Sequence, residues 1–403
     1  MTQRTFLSVL LLSLSLSTLL WSEPRAWICS SDKNGFVMGA SPCLKVMGRA
    51  LPGSESGALG APHALIFDWP GVVIEARFTG RSLSLQLASR EVHLEACVDG
   101  ECQRIHVKGE MKEYPIAQNL KKGEHLLRLS KLSETIESQV ELGGFLLEKG
   151  GALLPTEVAS SRQIEVIGDS YTVGYGVESV GEDGLPGVDG RTCNDEKLLR
   201  TTNTQRAQGA IAAQLLSADY QINAFSGLGI VRAYNGSKDF SPFPHYYKRV
   251  LMNRESPKYN PQRPPFGLPW RPQVVVVALG TNDFSTPLQP HESTLFADRE
   301  SLRNQFRHRY AQFLDLLREQ YPGVRFALVS TNVGEEDELK EALALLLEEQ
   351  EKAGHRDLFT VDLSTLTLYG CHWHPDLIDQ KRNGKKLAEA IAHEMKWDLP
   401  KKD

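Results

Sequence analysis

The chain changes its hydrophobic rhythm once, near Gly150–Ser161, and that single change restricts it to a two-part fold. Before it lie short apolar runs, many of them alternating: Ala64–Phe67, Val72–Phe78, Ser82–Ala88, His93–Val98, Gln103–Val107 and Glu124–Leu129. Alternation puts every second side chain on one face of a strand. Pro70-Gly71, Gly80, Asp99-Gly100 and Lys121-Lys122-Gly123 supply turns between the runs. Short strands at that spacing predict a β-sandwich over residues 30–150. Only Leu132–Val140 offers a helical spacing within it.

After the break, strand and helix alternate. Gln163–Ile167, Gln221–Phe225, Gln273–Leu279, Val324–Thr331 and Leu358–Val361 read as strands. Gln205–Leu216, Leu302–Gln320, Leu339–Leu347 and Lys385–Met395 read as helices. Gln273–Leu279 (QVVVVAL) is apolar on both faces, as a central parallel strand must be. The pattern predicts an α/β fold over residues 160–400, a doubly wound parallel sheet with right-handed crossovers. Two long loops interrupt it. Val177–Leu198 is rich in glycine and acid; Gly236–Pro272, rich in proline and aromatics, is placed to shape a substrate cleft.

Hydrophobic residues at 41% and charged residues at 24% describe an ordinary globular chain rather than a disordered or polytopic one. A net charge of −5 and no long basic cluster give no support for nucleic-acid binding. Arg4 followed by the uncharged run Phe6–Trp21 reads as an export leader, residues 1–26, because a membrane span needs about 20 apolar residues. A permanent N-terminal anchor is the competing reading. With the leader removed, the chain is expected in a secreted or periplasmic compartment with no membrane association. Its six cysteines then read as disulfide partners. Six cysteines allow about 15 pairings. Proximity favours Cys29–Cys43 and Cys97–Cys102, leaving Cys193–Cys371 to join two long loops. Zinc is the alternative, but no CxxC pair is present to nucleate such a site.

In an open parallel sheet, ligands bind outside the carboxyl ends of the strands. After the first strand of the second unit comes Gly168-Asp169-Ser170, and after the next Ser226-Gly227-Leu228-Gly229. Gly280-Thr281-Asn282-Asp283 follows the third; Gly370-Cys371-His372-Trp373-His374-Pro375 follows the fifth by way of a loop. One edge thus gathers a hydroxyl, a glycine amide, a carboxamide and an imidazole, the parts needed for acyl transfer. Ser170 is the candidate nucleophile and His374 its base, since a serine hydroxyl attacks only as a base takes its proton. The Ser170 and Gly227 N–H groups and the Asn282 amide are candidate oxyanion donors; Gly229 competes with Gly227. Trp373 offers a flat apolar face to a substrate, or else packs internally. Trp270 poses the same choice, tilted towards packing. Taken singly, Ser170 would also serve as a helix cap and Gly280–Asp283 as an Asx turn.

The four blocks resemble the SGNH, or GDSL-type, hydrolase superfamily, with Ser170, Gly227, Asn282 and His374 matching in order. Pro62–Gly100 resembles the N-terminal jelly-roll domain of carbohydrate esterase family 2. IEVIGDSYTVGYG, FSGLGIVRAYNG, WRPQVVVVALGTNDFS and GCHWHP resemble that family's catalytic domain. The resemblance implies an SGNH-type sheet preceded by a jelly roll. It also implies an exported acetylesterase acting on acetylated xylan or glucomannan, with no metal and no organic cofactor. Most SGNH hydrolases carry an Asp three residues before the base; here that position is Cys371. The resemblance implies a Ser170–His374 dyad oriented by a backbone carbonyl, with Asp376 or Asp362 as rival orienting groups. The stretch DLIDQKRNGKK after the histidine reads as a longer spacer before the closing helix than the family usually has. The N-terminal sandwich is expected to brace the catalytic unit. Three alternatives remain open: the same chemistry on another ester, a carbohydrate-binding protein with an inactive hydrolase unit, and a metal-dependent hydrolase built on Cys371, His372 and His374.

Overall fold

The computed structural model describes residues 29–55, 61–134, 138–156, 159–180, 190–253, 256–331 and 337–399. The expected leader lies outside the described residues. No helix among the described residues is long and apolar enough to cross a membrane.

Ten antiparallel strands build the first unit: β1 (Phe36–Met38), β2 (Lys45–Met47), β3 (Leu51–Pro52), β4 (Leu65–Phe67), β5 (Val73–Thr79), β6 (Leu83–Val98), β7 (Glu101–Ala117), β8 (Glu124–Lys131), β9 (Val140–Leu147) and β10 (Leu153–Leu154). One long strand makes this ladder curl. The two runs expected at Ser82–Ala88 and His93–Val98 are a single strand, β6, with register shifts between Leu87 and Glu91. Its first half pairs with β9 and its second half with β8. Bulges of this kind bend a strand and let it pass from one layer to the other. The last strand, β10, lies beyond Gly150 and pairs with β5, so the first sheet runs into the expected linker.

The helix expected over Leu132–Val140 does not form at its described positions. Leu132 donates its N–H to the His93 carbonyl, and the Ser133 hydroxyl accepts from the His93 N–H, so this backbone belongs to the edge of β6. Val140 already opens β9. All three expected disulfides are present: Cys29–Cys43, Cys97–Cys102 and Cys193–Cys371.

The second unit is a parallel sheet of β11 (Gln163–Gly168), β12 (Asp219–Ala224), β13 (Val274–Ala278), β14 (Arg325–Ser330) and β15 (Leu358–Asp362), in the order β12-β11-β13-β14-β15. Its helices are α1 (Ser170–Val173), α2 (Asp195–Thr201), α3 (Gln208–Leu215), α4 (Phe243–Tyr247), α5 (Thr281–Phe284), α6 (Arg299–Gln320), α7 (Glu338–Lys352) and α8 (Leu377–Met395). Ala210 and Ala213 of α3 share a core with Leu387 and Ile391 of α8 and with Val166, Val276 and Val329 of the sheet. On the opposite face Val275 and Val277 pack with Phe306, Tyr310 and Phe313 of α6 and Leu343 of α7. Helices cover both faces, as a doubly wound sheet requires.

The closing helix begins at Leu377, not Lys385. Asp376 caps it by accepting from the Asp379 N–H at 2.9 Å, so the supposed spacer is its first turns. Gly384, which reads as a break, lies against Ile211 of α3, where a Cβ would stand 2.6 Å from the isoleucine methyl.

The loop Gly236–Pro272, expected to shape a cleft, joins the two units. Its Phe243, Tyr247, Tyr259 and Trp270 are buried, and Val250, Leu251 and Tyr259 pack on Leu51 and Ile66 of the first sheet. Arg49 from the first unit is wholly buried there. Its guanidinium lies 3.5 Å from Glu165 of β11 and over the rings of Tyr247 and Tyr259. Asp68 accepts from the Met252 and Asn253 N–H groups, both at 2.9 Å.

Candidate active site

Strand order β12-β11-β13 sends the connections from β11 and β12 in opposite directions. That makes the carboxyl end of β11 a topological switch point, where a crevice opens. Ser170 sits there as the first residue of α1, itself 6% exposed. Asp169 holds it by capping the short helix, accepting from the Tyr171 N–H at 3.0 Å. The Asp169 carboxyl is fully enclosed, and burial raises it to about 7, with repulsion from Asp283 adding to the rise.

His374 faces Ser170 from the segment just before α8. Its Nε2 lies 2.9 Å from Ser170 Oγ. Its Nδ1 lies 2.9 Å from the Cys371 carbonyl and 3.1 Å from the His372 carbonyl. A carbonyl can only accept, so Nδ1 carries the proton and Nε2 presents its lone pair to the serine. Tyr175 stacks on the imidazole with centroids 4.3 Å apart, and Tyr171 meets it edge-on at 5.5 Å. Burial pushes the imidazole down to about 4 while the two carbonyl bonds act in the opposite direction, so the ring is neutral at pH 7. Neither rival carboxylate reaches it: Asp376 caps α8, and Asp362 pairs with Lys340 and Ser364.

After β12, Gly227 takes φ of +80°, a conformation that favours glycine, and the only atom near a Cβ there would be Tyr234 Cβ at 3.9 Å. Its N–H has no partner among the described residues, whereas Gly229 donates to the Arg232 carbonyl at 3.0 Å. That difference favours Gly227 over Gly229. Asn282 projects from α5, 5% exposed, and its amide donates to the Leu228 carbonyl at 3.0 Å and to Asp169 at 3.2 Å. Beside it, buried Asp283 accepts from the N–H groups of Ile230, Val231 and Arg232, fixing the loop that carries Gly227.

Trp373 is 62% exposed next to His374, with the Arg191 guanidinium 3.7 Å from its ring centre. One face is therefore held and the rest of the ring open. Trp270 is 6% exposed and packs internally. The three groups of the metal reading do not form a donor set. Cys371 is bonded to Cys193, both His372 nitrogens have protein partners, and His374 Nε2 is turned to Ser170.

Several residues at this edge carry no sequence signal. Glu134, from the first unit, accepts from the Ser226 N–H at 2.7 Å, one residue from Gly227. Burial raises its carboxyl to about 7. Tyr175 lies at the end of the IEVIGDSYTVGYG segment and Arg191 in the glycine-rich loop after it, and neither composition gives an orientation. Tyr234, half exposed beside Gly227, is marked only by lying within the FSGLGIVRAYNG block.

A serine and a tautomer-fixed histidine at the switch point of this sheet define a GDSL-type hydrolase architecture, and comparison with known proteins agrees. Residues 166–380 match the GDSL-like lipase/acylhydrolase family, and residues 58–156 match the carbohydrate esterase 2 N-terminal domain. The chain belongs to carbohydrate esterase family 2 and is a carboxylic ester hydrolase. An acetylxylan esterase / glucomannan deacetylase from Cellvibrio japonicus is 33% identical over 84% of this chain and 87% of its own length. A second protein of that description from the same organism is 22% identical over 90% of this chain and 91% of its own length. One solved carbohydrate esterase, described as showing divergent catalytic and non-catalytic binding functions in its active site, superposes with a TM-score of 0.74. It is 31% identical and covers 87% of this chain and 97% of its own. A family two carbohydrate esterase from Clostridium thermocellum, solved with cellohexaose, shares the fold at TM-score 0.73 and 23% identity, over 88% of this chain and 100% of its own.

Proposed function

We propose that this carbohydrate esterase is an exported acetylesterase that removes O-acetyl groups from a xylan- or glucomannan-like polysaccharide through a Ser170–His374 dyad. One observation carries the mechanism: His374 Nε2 meets Ser170 Oγ at 2.9 Å while its Nδ1 is tied to two carbonyls. As Ser170 Oγ attacks the acetyl carbonyl, Nε2 takes its proton, and the imidazolium's Nδ1–H remains held by the Cys371 and His372 carbonyls. The oxyanion is stabilised by the Ser170 and Gly227 N–H groups and by the Asn282 amide, which exchanges its longer bond, to Asp169, for the new charge. As the bond between the acetyl carbon and the sugar oxygen breaks, His374 gives the proton to that oxygen, which leaves as a hydroxyl, and an acetyl-enzyme remains. Water, activated by the same imidazole, releases acetate. Every step uses this chain's own groups and water.

The polymer is argued from the relatives named as acetylxylan esterase / glucomannan deacetylase. Trp373, and Tyr234 on the Gly227 side, offer apolar faces for sugar rings. Residues 1–26 are proposed as the leader. Residues 30–150 form a bracing domain, consistent with Glu134 supporting Ser226, and residues 160–400 form the catalytic domain. Acetate release from acetylated xylan and glucomannan, with and without EDTA, tests this reading. EDTA-insensitive release is expected. Hydrolysis of an aryl acetate with no release from either polymer would move the substrate to another glycan, and no activity on any ester would end the mechanism.

A further inference from the structure

Segment Cys371–Trp373, the source of both carbonyls on His374 Nδ1, holds two consecutive non-glycine residues in the left-handed region, His372 at φ +50° and Trp373 at φ +63°. Such conformations persist only where the surroundings over-determine them. Beyond the segment's own Gly370–His374 pairing, the surroundings are the short stretch Arg191–Cys193 together with Tyr175. The His372 N–H donates to the Arg191 carbonyl at 2.8 Å. His372 Nε2 meets the Cys193 carbonyl at 3.0 Å, and its Nδ1 meets the Tyr175 hydroxyl at 2.9 Å. The carbonyl only accepts, so in the neutral ring Nε2 carries the proton and the tyrosine hydroxyl donates to Nδ1. Arg191 lies over Trp373, and the Cys193–Cys371 disulfide closes the clamp. Behind it the chain passes so close that a Cβ on Gly176 would stand 2.3 Å from Cys371 Cβ.

We propose that Cys193, Cys371 and His372 are positioning residues for ester hydrolysis: the disulfide and the His372 clamp hold the Cys371 and His372 carbonyls on the imidazole of His374. Turnover then depends on one particular disulfide being formed, remote in sequence from the nucleophile. This rests on the Ser170–His374 reading above. Tyr175 joins the two roles, since its ring stacks on His374 and its hydroxyl ties His372.

The test compares Cys193→Ser/Cys371→Ser, His372→Ala, Cys29→Ser/Cys43→Ser and Ser170→Ala on a small aryl acetate. Removal of the Cys193–Cys371 bridge is expected to lower kcat by about tenfold or more with KM changed by less than about threefold. His372→Ala, which keeps the bridge, is expected to lower kcat by about three- to tenfold with the same split. The Cys29–Cys43 variant should keep kcat within about twofold, because that bridge lies in the first unit, away from His374. Nitrogen-15 spectra of the histidines supply the readout that a merely structural bridge would not move: His374 is expected to gain a population protonated at Nε2 in both clamp variants. Where the double-serine chain fails to fold, His372→Ala decides. Full activity in Ser170→Ala would defeat the underlying mechanism. Loss of activity in Ser170→Ala, with unchanged kcat and unchanged tautomer in His372→Ala and any folded bridge variant, would overturn the clamp alone.

Discussion

The acid limb of the pH–rate profile reports the environment of His374 directly, and Tyr175→Ala perturbs that environment. A general base works only when neutral, so activity is lost as pH falls through the folded-state pKa of the imidazole. Burial lowers that value from 6.5 to about 4. At pH 5 the wild-type ring is then about nine-tenths neutral, whereas a ring at 6.5 would be only about 3% neutral. Wild-type kcat/KM at pH 5 is therefore expected to be about 0.9 of its pH 7 value, against about 0.04 for an unshifted histidine. Tyr175 is the ring stacked on the imidazole at 4.3 Å. Its removal admits water, raises the pKa towards 6.5 and moves the acid limb upward, costing up to about twentyfold at pH 5 relative to pH 7. Tyr175→Phe keeps the stacked ring and should keep the limb where it is. The assay is kcat/KM for an aryl acetate from pH 3.5 to 8 at constant ionic strength, with folding checked at each pH. An acid limb that Tyr175→Ala leaves in place would refute the reasoning; a wild-type component near pH 7 would instead report the buried Asp169 or Glu134 carboxyl.

Asn282→Ala removes one oxyanion donor and should lower kcat by about 10²–10³ while KM changes little, measured by steady-state kinetics. Trp373→Ala should raise KM on acetylated polymer by about three- to tenfold and leave KM for an aryl acetate within about twofold, since only the polymer needs the open ring face. Arg49→Ala strands the buried Glu165 carboxylate without its cation. It should cost about 3–5 kcal/mol, read as a lower denaturation midpoint in guanidinium.

Much of the catalytic sheet was legible because its strands are short apolar runs that admit no other placement. Once β11, β12 and β13 are parallel, Ser170, Gly227 and Asn282 must follow them at one edge, and α6 buries the very residues whose spacing announced it: Leu302, Phe306, Tyr310, Phe313, Leu314 and Leu317. What stayed hidden has physical reasons. The middle of β7, KGEMKE, is solvent-exposed on both faces and shows no alternation. β9 is interrupted in sequence by Gly143-Gly144; Gly144 sits where Phe36 of β1 crosses closely, and Gly143 lies under Met111 of β7. The start of α8 is polar and contains a glycine that only its packing on α3 explains. The orienting partner of His374 is a pair of backbone carbonyls, and a carbonyl has no side chain to read. Glu134 reaches Ser226 from the other unit, a juxtaposition that local pattern does not encode. The aromatic loop 236–272 was legible as a functional length of chain placed to shape a cleft, but not as the joint between the two units.

The nucleophile itself can be caught. Wild-type enzyme mixed rapidly with excess aryl acetate and quenched in acid should yield an acetylated peptide carrying Ser170, formed at a rate no slower than kcat. The same experiment on Ser170→Ala should yield no acetylated peptide and no turnover above background. Acetylation at another residue in the wild type, or undiminished turnover in Ser170→Ala, would contradict a Ser170–His374 mechanism.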